Sequence, residues 1–448
     1  MKIDTLLINP PFHRFFGSEQ DYIPIGLSYL ASTVDNCWIY NAEVGDNVSN
    51  ISYNDRINGQ ESYIKGLYDD KHFIWKEIRE LLLKYAPKVV GITVPTVKFK
   101  SAIKVAEIVK EILPDTFVIV GGPHATLCPR DFIDYKCIDI IIKGEGEEIF
   151  PKIVTDILKG NKKEDFNRIY DYNKFVSVDI NNLKLPNKFN LLNKYSTKGY
   201  GHIVTARGCP FSCLYCSSNA LLGSKVRYRK VTDIINEIEY LIKEYNVQDY
   251  VIWDETFTAD RKRIIEFCEK VKPLNITWRC DTRINLIDDE LLFIMKDSGL
   301  NHISVGIESG NDITLQFINK KITRKIIEKY AKILNNSGIF WKAYIMIGFP
   351  NETEEMINDT LNLIYDIKPS RVTLSIFTPY PGTPLYKYCI DNKIIKVNHD
   401  YSMFSHQSKF NHFCPNINKE RFQEIVKEFS EKVDNYNNSN GGYEKWIK

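Results

Sequence analysis

At 448 residues the chain exceeds what one hydrophobic core usually organises, so two or more domains are expected. A hydrophobic content of 44% and a charged content of 26% are typical of a globular protein and exclude a disordered or fibrous one. The formal net charge of +2 implies no strongly basic face, and we therefore predict no nucleic-acid partner.

The start of the sequence and its thiol content both bear on the cellular compartment. The apolar run in "MKIDTLLINPPF" is too short for a secretory signal or a membrane span, so we predict a cytoplasmic protein with no membrane span. Ten cysteines in such a chain indicate reduced thiols and a metal or redox site rather than a disulfide framework.

Residues 1–160 alternate short runs rich in Ile and Val with segments of helical period. This pattern predicts a doubly wound, Rossmann-like α/β domain, in which helices cover both faces of a parallel sheet. The clearest helix is "SAIKVAEIVKEIL", Ser101–Leu113, with Pro114 just beyond its end. Strands are expected near Thr5–Asn9, Trp38–Glu43, Val89–Val94, Phe117–Val120 and Ile138–Ile142.

The last three of these strands run into "TVPT", "GGPHAT" and "KGEGEE". Open parallel sheets bind ligands beyond the carboxyl ends of their strands, so these loops are candidate binding loops. Ordinary turn chemistry is the alternative interpretation, because one pair of glycines is a weak signal. The candidate contact residues are Thr93, Thr96, Gly121, Gly122, His124, Gly144, Glu145 and Gly146.

Two further regions follow a connector that we place at residues 161–198. In residues 199–387 a strand and a helix alternate six times, which predicts a parallel barrel or partial barrel, (β/α)6. Residues 388–448 are less regular, contain the amphipathic segment "NKERFQEIVKEFSEKVDNY" and are expected to form a small, mostly helical region that caps the substrate.

The stretch "RGCPFSCLYCSS" places Cys209, Cys213 and Cys216 close together, directly after the first predicted barrel strand. A structural zinc site needs four ligands, and no second cysteine or histidine pair follows nearby. An iron-sulfur cluster with four irons, in contrast, is held by three thiolates when one iron is kept open for another ligand. A zinc site completed from a distant residue, or incidental cysteines, are the alternatives. We call these three residues the cysteine trio.

The spacing of the trio, with Tyr215 just before its last member, resembles the signature of the radical S-adenosylmethionine (SAM) superfamily. The resemblance covers about Gly201–Tyr386, because "WDETFTAD", "GIESG", "MIGFPNET" and "PYPGTPLY" follow in the expected order and strand positions. It implies a [4Fe-4S] cluster held by the trio and SAM bound to the open iron. It also implies reductive cleavage of SAM to methionine and a 5′-deoxyadenosyl radical.

Further residue roles are implied by the same resemblance. Asp254 and Glu255 fall where the family receives the methionine ammonium group, although a helix cap is an alternative role. Glu308 and Ser309 fall where it meets the ribose or the amino group. Arg283 is expected to orient a carboxylate of substrate or cofactor, or to pair with a neighbouring acid.

The N-terminal domain resembles the cobalamin-binding domain that precedes the barrel in one large radical SAM subgroup. The resemblance assigns the glycine loops to cobalamin, since glycine lets the backbone approach the corrin or its nucleotide tail closely. The sequence departs from the Asp-x-His-x-x-Gly motif of domains that ligate cobalt through histidine, because it reads "NPPFHRFFG". We therefore expect His13 to be a loop residue, not a cobalt ligand.

Together these features predict a cobalamin-dependent radical SAM enzyme. The favoured reaction is methylation of an unactivated carbon in a specialised metabolite or peptide, using a 5′-deoxyadenosyl radical and methylcobalamin. Ring contraction, cyclisation or oxidation without methyl transfer is an alternative, and a non-catalytic cobalamin-binding sensor or carrier is a second. A flavodoxin or ferredoxin is the expected electron donor.

Overall fold

The computed structural model describes residues 2–18, 20–45, 53–171, 178–396 and 399–440. Its internal contacts divide the chain into two units. The N-terminal unit comprises Met1–Ser49, Gly59–Tyr200 and Asp400–Met403. The barrel unit comprises Asn50–Asn58, Gly201–His399 and Phe404–Lys448.

A six-stranded parallel sheet forms the centre of the N-terminal unit. Its strand order is β2-β1-β3-β4-β5-β6, so the chain starts inside the sheet and then extends it first to one side and later to the other. This is the doubly wound topology that the sequence predicts. The strands are β1 (Thr5–Asn9), β2 (Cys37–Asn41), β3 (Val89–Thr93), β4 (Phe117–Gly121), β5 (Ile140–Lys143) and β6 (Ile169–Asp171).

Both faces of this sheet are buried, which explains why its strands are almost continuously apolar. In β1, Leu6 and Ile8 belong to one hydrophobic core, while Leu7 between them belongs to the other. Successive side chains on a strand point to opposite faces, so each strand contributes to both cores. The helices up to the end of this unit are α1 (Ile25–Ala31), α2 (Tyr53–Tyr68), α3 (Phe73–Tyr85), α4 (Phe99–Ile112), α5 (Pro123–Leu127), α6 (Phe150–Leu158) and α7 (Thr197–Tyr200).

The region predicted as a connector contributes to the N-terminal unit in two ways. Strand β6 pairs with β5 and becomes one edge of the sheet. Near the other edge, the Asn193 side chain accepts a hydrogen bond from the Asn41 amide and donates one to the Asn41 carbonyl, at 2.7 and 3.1 Å. An edge strand exposes unpaired backbone groups, and this segment satisfies them.

The barrel unit contains a second six-stranded parallel sheet, ordered β14-β13-β12-β11-β10-β7. Strands thus follow one another in chain order, with β7 and β14 at the edges, which is the predicted partial barrel. Its strands are β7 (His202–Ile203), β10 (Asp249–Ile252), β11 (Thr277–Arg283), β12 (Leu300–Glu308), β13 (Phe340–Ile347) and β14 (Arg371–Ile376), and an antiparallel pair is formed by β8 (Ala206–Arg207) and β9 (Arg227–Tyr228).

Helices alternate with these strands and cover the outward-facing apolar side chains. Trp278 on β11 is fully buried and packs edge-on against Phe257 and Phe267, with ring centroids 5.5 and 5.4 Å away. It therefore contributes to the core between the sheet and its helices. The helices are α8 (Ser218–Leu222), α9 (Val231–Tyr245), α10 (Arg261–Val271), α11 (Asp289–Asp297), α12 (Asp312–Phe317), α13 (Arg324–Ser337), α14 (Glu354–Ile367), α15 (Pro384–Asp391) and α16 (Lys419–Ser439).

The C-terminal region is mostly helical, as predicted, and α16 covers the edge strand β14. The Asn437 side chain accepts a hydrogen bond from the Val372 amide at 2.8 Å and donates one to the Val372 carbonyl at 3.0 Å. Across the described ranges, no helix combines the length and apolar character needed to cross a membrane.

Candidate active site

The cysteine trio lies in the loop that follows β8, and all three thiols are free. Gly208, just before the trio, has a φ of 100°, and a Cβ there would lie 2.7 Å from the Lys225 carbonyl oxygen. Only glycine fits this position without strain. The loop is also fixed by a 3.0 Å hydrogen bond from the Leu214 amide to the Ile318 carbonyl.

The first barrel strand is shorter than expected because Asp254 diverts it. The carboxylate of Asp254 accepts hydrogen bonds from the amides of Thr205 and Ala206, at 2.7 and 2.9 Å, and from the Thr205 hydroxyl. These amides are no longer available to a neighbouring strand. Asp254 is buried and directs the chain out of the sheet into the trio loop. Its predicted contact with the methionine ammonium stays a prediction.

Glu255 lies against the same loop. Its carboxylate accepts a 3.3 Å hydrogen bond from the Gly208 amide, one residue before the trio. Desolvation, reinforced by the charge of Asp254, raises the pKa of Glu255 to about 7. The two predicted carboxylates are therefore brought together at the root of the trio loop.

Arg283, the last residue of β11, reaches the trio from the opposite side of the loop. Its Nη1 donates a 3.2 Å hydrogen bond to Cys213 Sγ, and its Nη2 donates to the Lys320 carbonyl. The guanidinium carbon also lies 4.1 Å from the centroid of the Phe211 ring. The carboxylate contact expected from the sequence stays a prediction, since the visible partner is a thiol.

Glu308 ends β12 with a φ of 72°, which is an unusual conformation for a residue with a side chain. Its carboxylate accepts a 2.8 Å hydrogen bond from Lys320 Nζ, which also lies 3.2 Å from the Tyr215 hydroxyl inside the trio loop. Both ends of the Lys320–Glu308 pair are buried. The pair links the end of β12 to the trio.

Ser309 is oriented differently from Glu308. It is fully buried, its hydroxyl lies 3.1 Å from the Thr360 hydroxyl of α14, and it accepts a 3.2 Å hydrogen bond from the Asn311 amide. These contacts give Ser309 a role in holding the turn into α12. Its predicted contact with the ribose or amino group of SAM is not tested by this geometry.

The surroundings of the trio fit an iron-sulfur cluster better than a single metal ion. Among the described residues, one group of metal-ligating side chains has all its ligand atoms within 4.8 Å of one another, and that group is not the trio. At least two of the three trio sulfurs are therefore more than 4.8 Å apart. Arg283 adds a buried positive charge, which suits an anionic cluster.

In the N-terminal unit, the glycine loops at the carboxyl ends of β4 and β5 meet each other and the end of β3. Gly122 has a φ of 88°, and a Cβ there would lie 2.7 Å from Thr93 Oγ1. The Thr126 hydroxyl accepts a 3.1 Å hydrogen bond from the Gly144 amide. Glycine is thus required at position 122 partly because one loop packs closely on another.

The other predicted contact residues in these loops differ in how closely protein atoms surround them. A Cβ on Gly121 would meet only the Ile142 carbonyl oxygen, at 3.7 Å, so this position leaves open backbone toward a ligand. A Cβ on Gly146 would lie 3.1 Å from Leu30 Cδ2. Glu145 accepts a 3.3 Å hydrogen bond from the Val178 amide. The open backbone at Gly121 fits the close approach of a cofactor.

His124 is fully buried and its ring nitrogens have protein neighbours. Nδ1 lies 3.3 Å from Thr96 Oγ1, and Nε2 lies 3.3 Å from an Asp131 carboxylate oxygen. His124, Asp131 and Cys128 are the one group whose potential metal-ligating atoms lie within 4.8 Å of one another among the described residues. Desolvation and the Asp131 charge, however, raise the pKa of the Cys128 thiol to about 11. His124 is thus held between the segments that follow β3 and β4, and its predicted contact with the cofactor stays a prediction.

A buried polar network beyond β1 and β2 was not foreseen from the sequence. Lys98 Nζ lies 2.6 Å from Glu43 Oε1 and 3.0 Å from Asn9 Oδ1, and His13 Nδ1 lies 3.1 Å from Glu43. Burial opposes ionisation of Glu43, yet Lys98 and His13 hold its pKa well below the usual range. His13 begins a short 3-10 helix, His13–Phe16, and does not lie in a loop; that it is not a cobalt ligand stays a prediction.

Lys320 and Thr205 were also missed by the sequence analysis. Lys320 lies in "INKKIT", which looks like an ordinary exposed turn, yet its side chain is 4% exposed. Thr205 lies in the middle of a predicted strand. Neither residue carries a local signal, because their partners are 12 and 49 positions away in sequence.

Comparison with protein families gives two matches, one in each half of the chain. Residues 17–154 match the B12 binding domain, and residues 203–364 match the radical SAM superfamily. The first range holds the glycine loops of the N-terminal unit, and the second begins just before the trio and ends within α14.

Individual relatives agree with this division. A protein of Pyrococcus horikoshii named as an uncharacterized methyltransferase is 31% identical over 88% of this chain and 84% of its own length. An anaerobic magnesium-protoporphyrin IX monomethyl ester cyclase of Rubrivivax gelatinosus is 28% identical over 69% of this chain, which spans only 60% of that relative.

Among solved structures, the radical SAM methyltransferase TsrM from Kitasatospora setae, bound to tryptophan and a SAM analogue, superposes with a TM-score of 0.72. The alignment covers 96% of this chain and 89% of TsrM at 15% sequence identity, so it shows a shared fold. Two domain matches, a relative matched over 84% of its own length and the geometry of the trio thus agree. The chain belongs to the cobalamin-dependent radical SAM enzymes, whose cofactors are a [4Fe-4S] cluster, SAM and cobalamin.

Proposed function

We propose that this enzyme methylates an unactivated carbon of a specialised metabolite or peptide. The observation that carries the proposal is the similarity to the Pyrococcus methyltransferase, which extends over 88% of this chain at 31% identity.

The residues that would hold each cofactor are those described above. The cysteine trio would ligate the cluster, the ends of β10, β11 and β12 would contact SAM, and the loops after β3, β4 and β5 would contact cobalamin. When bound, the cluster supplies an electron that cleaves SAM into a hydrogen-abstracting radical, and cobalamin carries the methyl group. A flavodoxin or ferredoxin is the proposed source of electrons.

The work of the protein itself is to hold the trio loop in one geometry. Asp254 and Glu255 fix its start through backbone amides, while Lys320 contacts Tyr215 within it. Burial raises the pKa of Tyr215 well above its usual range, so its hydroxyl stays protonated beside Glu308. Three strand ends therefore position one loop, which limits the movement of any ligand bound there.

A reaction without methyl transfer is the second candidate, and it is favoured by a specific observation. The relative from Rubrivivax gelatinosus that matches 69% of this chain is named as a cyclase. The chain spans less than two thirds of that cyclase, which weakens the transfer of its activity. A non-catalytic sensor or carrier is disfavoured, because the trio and the residues that hold its loop are intact.

The release of S-adenosylhomocysteine separates these candidates. The full chain is reconstituted anaerobically with iron, sulfide and cobalamin, then incubated with titanium(III) citrate, SAM bearing a trideuterated methyl group and a small-molecule extract of the source cells. A methyltransferase yields both S-adenosylhomocysteine and 5′-deoxyadenosine, and a trideuterated methyl group appears in a product. 5′-Deoxyadenosine alone would reject methyl transfer, and absence of both products would support the sensor.

A further inference from the structure

Arg283 is a buried cation with an unusual set of partners. The residue is 6% exposed, and its partners are the Cys213 sulfur, the Lys320 carbonyl oxygen and the Phe211 ring. Within the described part of the chain, no carboxylate oxygen lies within 4.0 Å of its guanidinium group. Its Nε is buried and makes no hydrogen bond there.

Arg229, another buried arginine of the barrel unit, shows the usual arrangement. Its Nη1 donates a 2.6 Å hydrogen bond to the Glu237 carboxylate, and both side chains are under 10% exposed. A buried charge is costly unless an opposite charge compensates it. Arg283 therefore needs an anion that the neighbouring carboxylates do not supply, since Glu308 is already paired with Lys320.

The sulfur of Cys213 is the anion within reach. As a cluster ligand it is a thiolate, and the 3.2 Å separation from Nη1 is that of a charge-assisted N–H···S hydrogen bond. Hydrogen bonds to the sulfurs of an iron-sulfur cluster, and positive charge beside it, stabilise the reduced form and raise the reduction potential. The Lys320 carbonyl and the Phe211 ring keep the guanidinium in this orientation.

We propose that Arg283 is a positioning residue for the cluster: it donates a hydrogen bond to the Cys213 thiolate and raises the reduction potential of the [4Fe-4S] centre. This role is additional to the carboxylate contact expected from the sequence. The inference rests on the presence of the cluster and not on methyl transfer, so it stands or fails independently of the reaction that the enzyme performs.

Potentiometry of the reconstituted full chain tests the proposal. Arg283→Met and Arg283→Gln remove the charge, Arg283→Lys keeps it, and Arg229→Lys is the matched control at a buried arginine that has a carboxylate partner. Iron content and circular dichroism are measured first, and the midpoint potential is then followed by EPR. Both neutral variants are expected to shift the potential to more negative values, Arg283→Lys to recover part of that shift, and Arg229→Lys to match the wild type.

Three results would overturn the proposal: a neutral variant with full iron content and the wild-type potential, a lysine variant that recovers none of the shift, or a control that shifts as far as the neutral variants. If neither neutral variant retains iron, the iron content of Arg283→Lys decides. Iron retained by Arg283→Lys supports the proposal. Iron lost from Arg283→Lys but retained by Arg229→Lys overturns the charge argument. A reduced-cluster proton that exchanges in D₂O, seen by ENDOR in the wild type and absent in Arg283→Met, gives an independent readout.

Discussion

Lys98 in the N-terminal unit and Arg283 in the barrel unit are both buried cations near the carboxyl end of a parallel strand, but they are compensated differently. Lys98 lies 2.6 Å from the Glu43 carboxylate and donates to Asn9. Arg283 has a thiol as its nearest potential anion. The first network is complete within the polypeptide, whereas the second needs the cluster to complete it.

This difference separates a structural polar network from a functional one. Evolution of a binding site leaves charges that only the ligand neutralises, while a purely structural ion pair already contains both partners. Burial alone does not distinguish the two, since both cations are nearly inaccessible. The informative feature of Arg283 is that it lacks a carboxylate partner and donates a hydrogen bond to a sulfur of the trio.

Glu352, in the loop after β13, is a third buried ionisable group, and its charge is compensated in a third way. It is inaccessible, accepts hydrogen bonds from the amides of Gly348 and Phe349, at 2.6 and 3.0 Å, and has no cation partner among the described residues. Desolvation raises the pKa of its carboxyl to about 8. Protonation therefore offers Glu352 a way to lose its buried charge that requires no counter-ion.

The largest expected effect comes from removing the proposed partner of Arg283. Replacing the cysteine trio by serine should reduce bound iron from about four atoms per chain to a trace and abolish formation of 5′-deoxyadenosine, because serine does not ligate the cluster in its place. Iron analysis after anaerobic reconstitution measures this. Cys137→Ser, a partly exposed thiol outside the trio, is the control and should retain its iron.

Breaking the Lys98–Glu43 pair should lower the free energy of unfolding and leave the iron content unchanged. Lys98→Met leaves Glu43 buried without its main cation, and we expect a loss of about 3–5 kcal/mol in the free energy of unfolding of the N-terminal unit. Chemical denaturation followed by fluorescence measures it. The double variant Lys98→Met with Glu43→Leu should recover much of the loss; equal instability of the single and double variants would contradict the role of the unpaired charge.

A matched exposed pair sharpens this prediction. Lys104 Nζ contacts Asp70, whose side chain is 70% exposed. Lys104→Met should leave the free energy of unfolding close to that of the wild type, because solvent hydrates the exposed Asp70 carboxylate that remains. A loss as large as that of Lys98→Met would show that burial is not the deciding variable.

Glu352 predicts a pH dependence. Its pKa in the folded state, about 8, is above the unfolded value, so its contribution to stability is fully present below the unfolded pKa and is lost as the pH rises towards 8. Between pH 5 and pH 8, Glu352→Gln should therefore gain on the order of 3 kcal/mol relative to the wild type. Denaturation midpoints at several pH values measure the gain, and parallel curves for the two proteins would contradict it.

A loss smaller than that of Lys98→Met is expected at the edge strand β14, where the hydrogen-bonding partners are uncharged. Asn437 pairs with both backbone groups of Val372, so Asn437→Leu leaves a buried donor and acceptor without partners and should cost about 1–3 kcal/mol. Asn438→Leu, one position further along α16, is the control. Equal losses in the two variants would indicate disruption of the helix and not of these hydrogen bonds.

The sequence by itself determined the fold class, and it predicts the place of the cluster. Alternation of buried strands and amphipathic helices is a local, periodic signal, and it survives in both sheets with shifts of a few residues at the strand ends. The trio is also local, since its three thiols lie within eight positions, and a short loop brings them together in any fold that places it after a strand.

Only the tertiary structure decided which charges face the trio. Arg283 and Cys213 are 70 positions apart, and Lys320 meets Tyr215 across 105 positions, so no local pattern records these pairs. Likewise, Asp254 shortens the first barrel strand through amides 48 and 49 residues earlier. Partners of this kind are set by strand order and register, and the side chains involved are compatible with several roles until packing brings one neighbour within hydrogen-bonding distance.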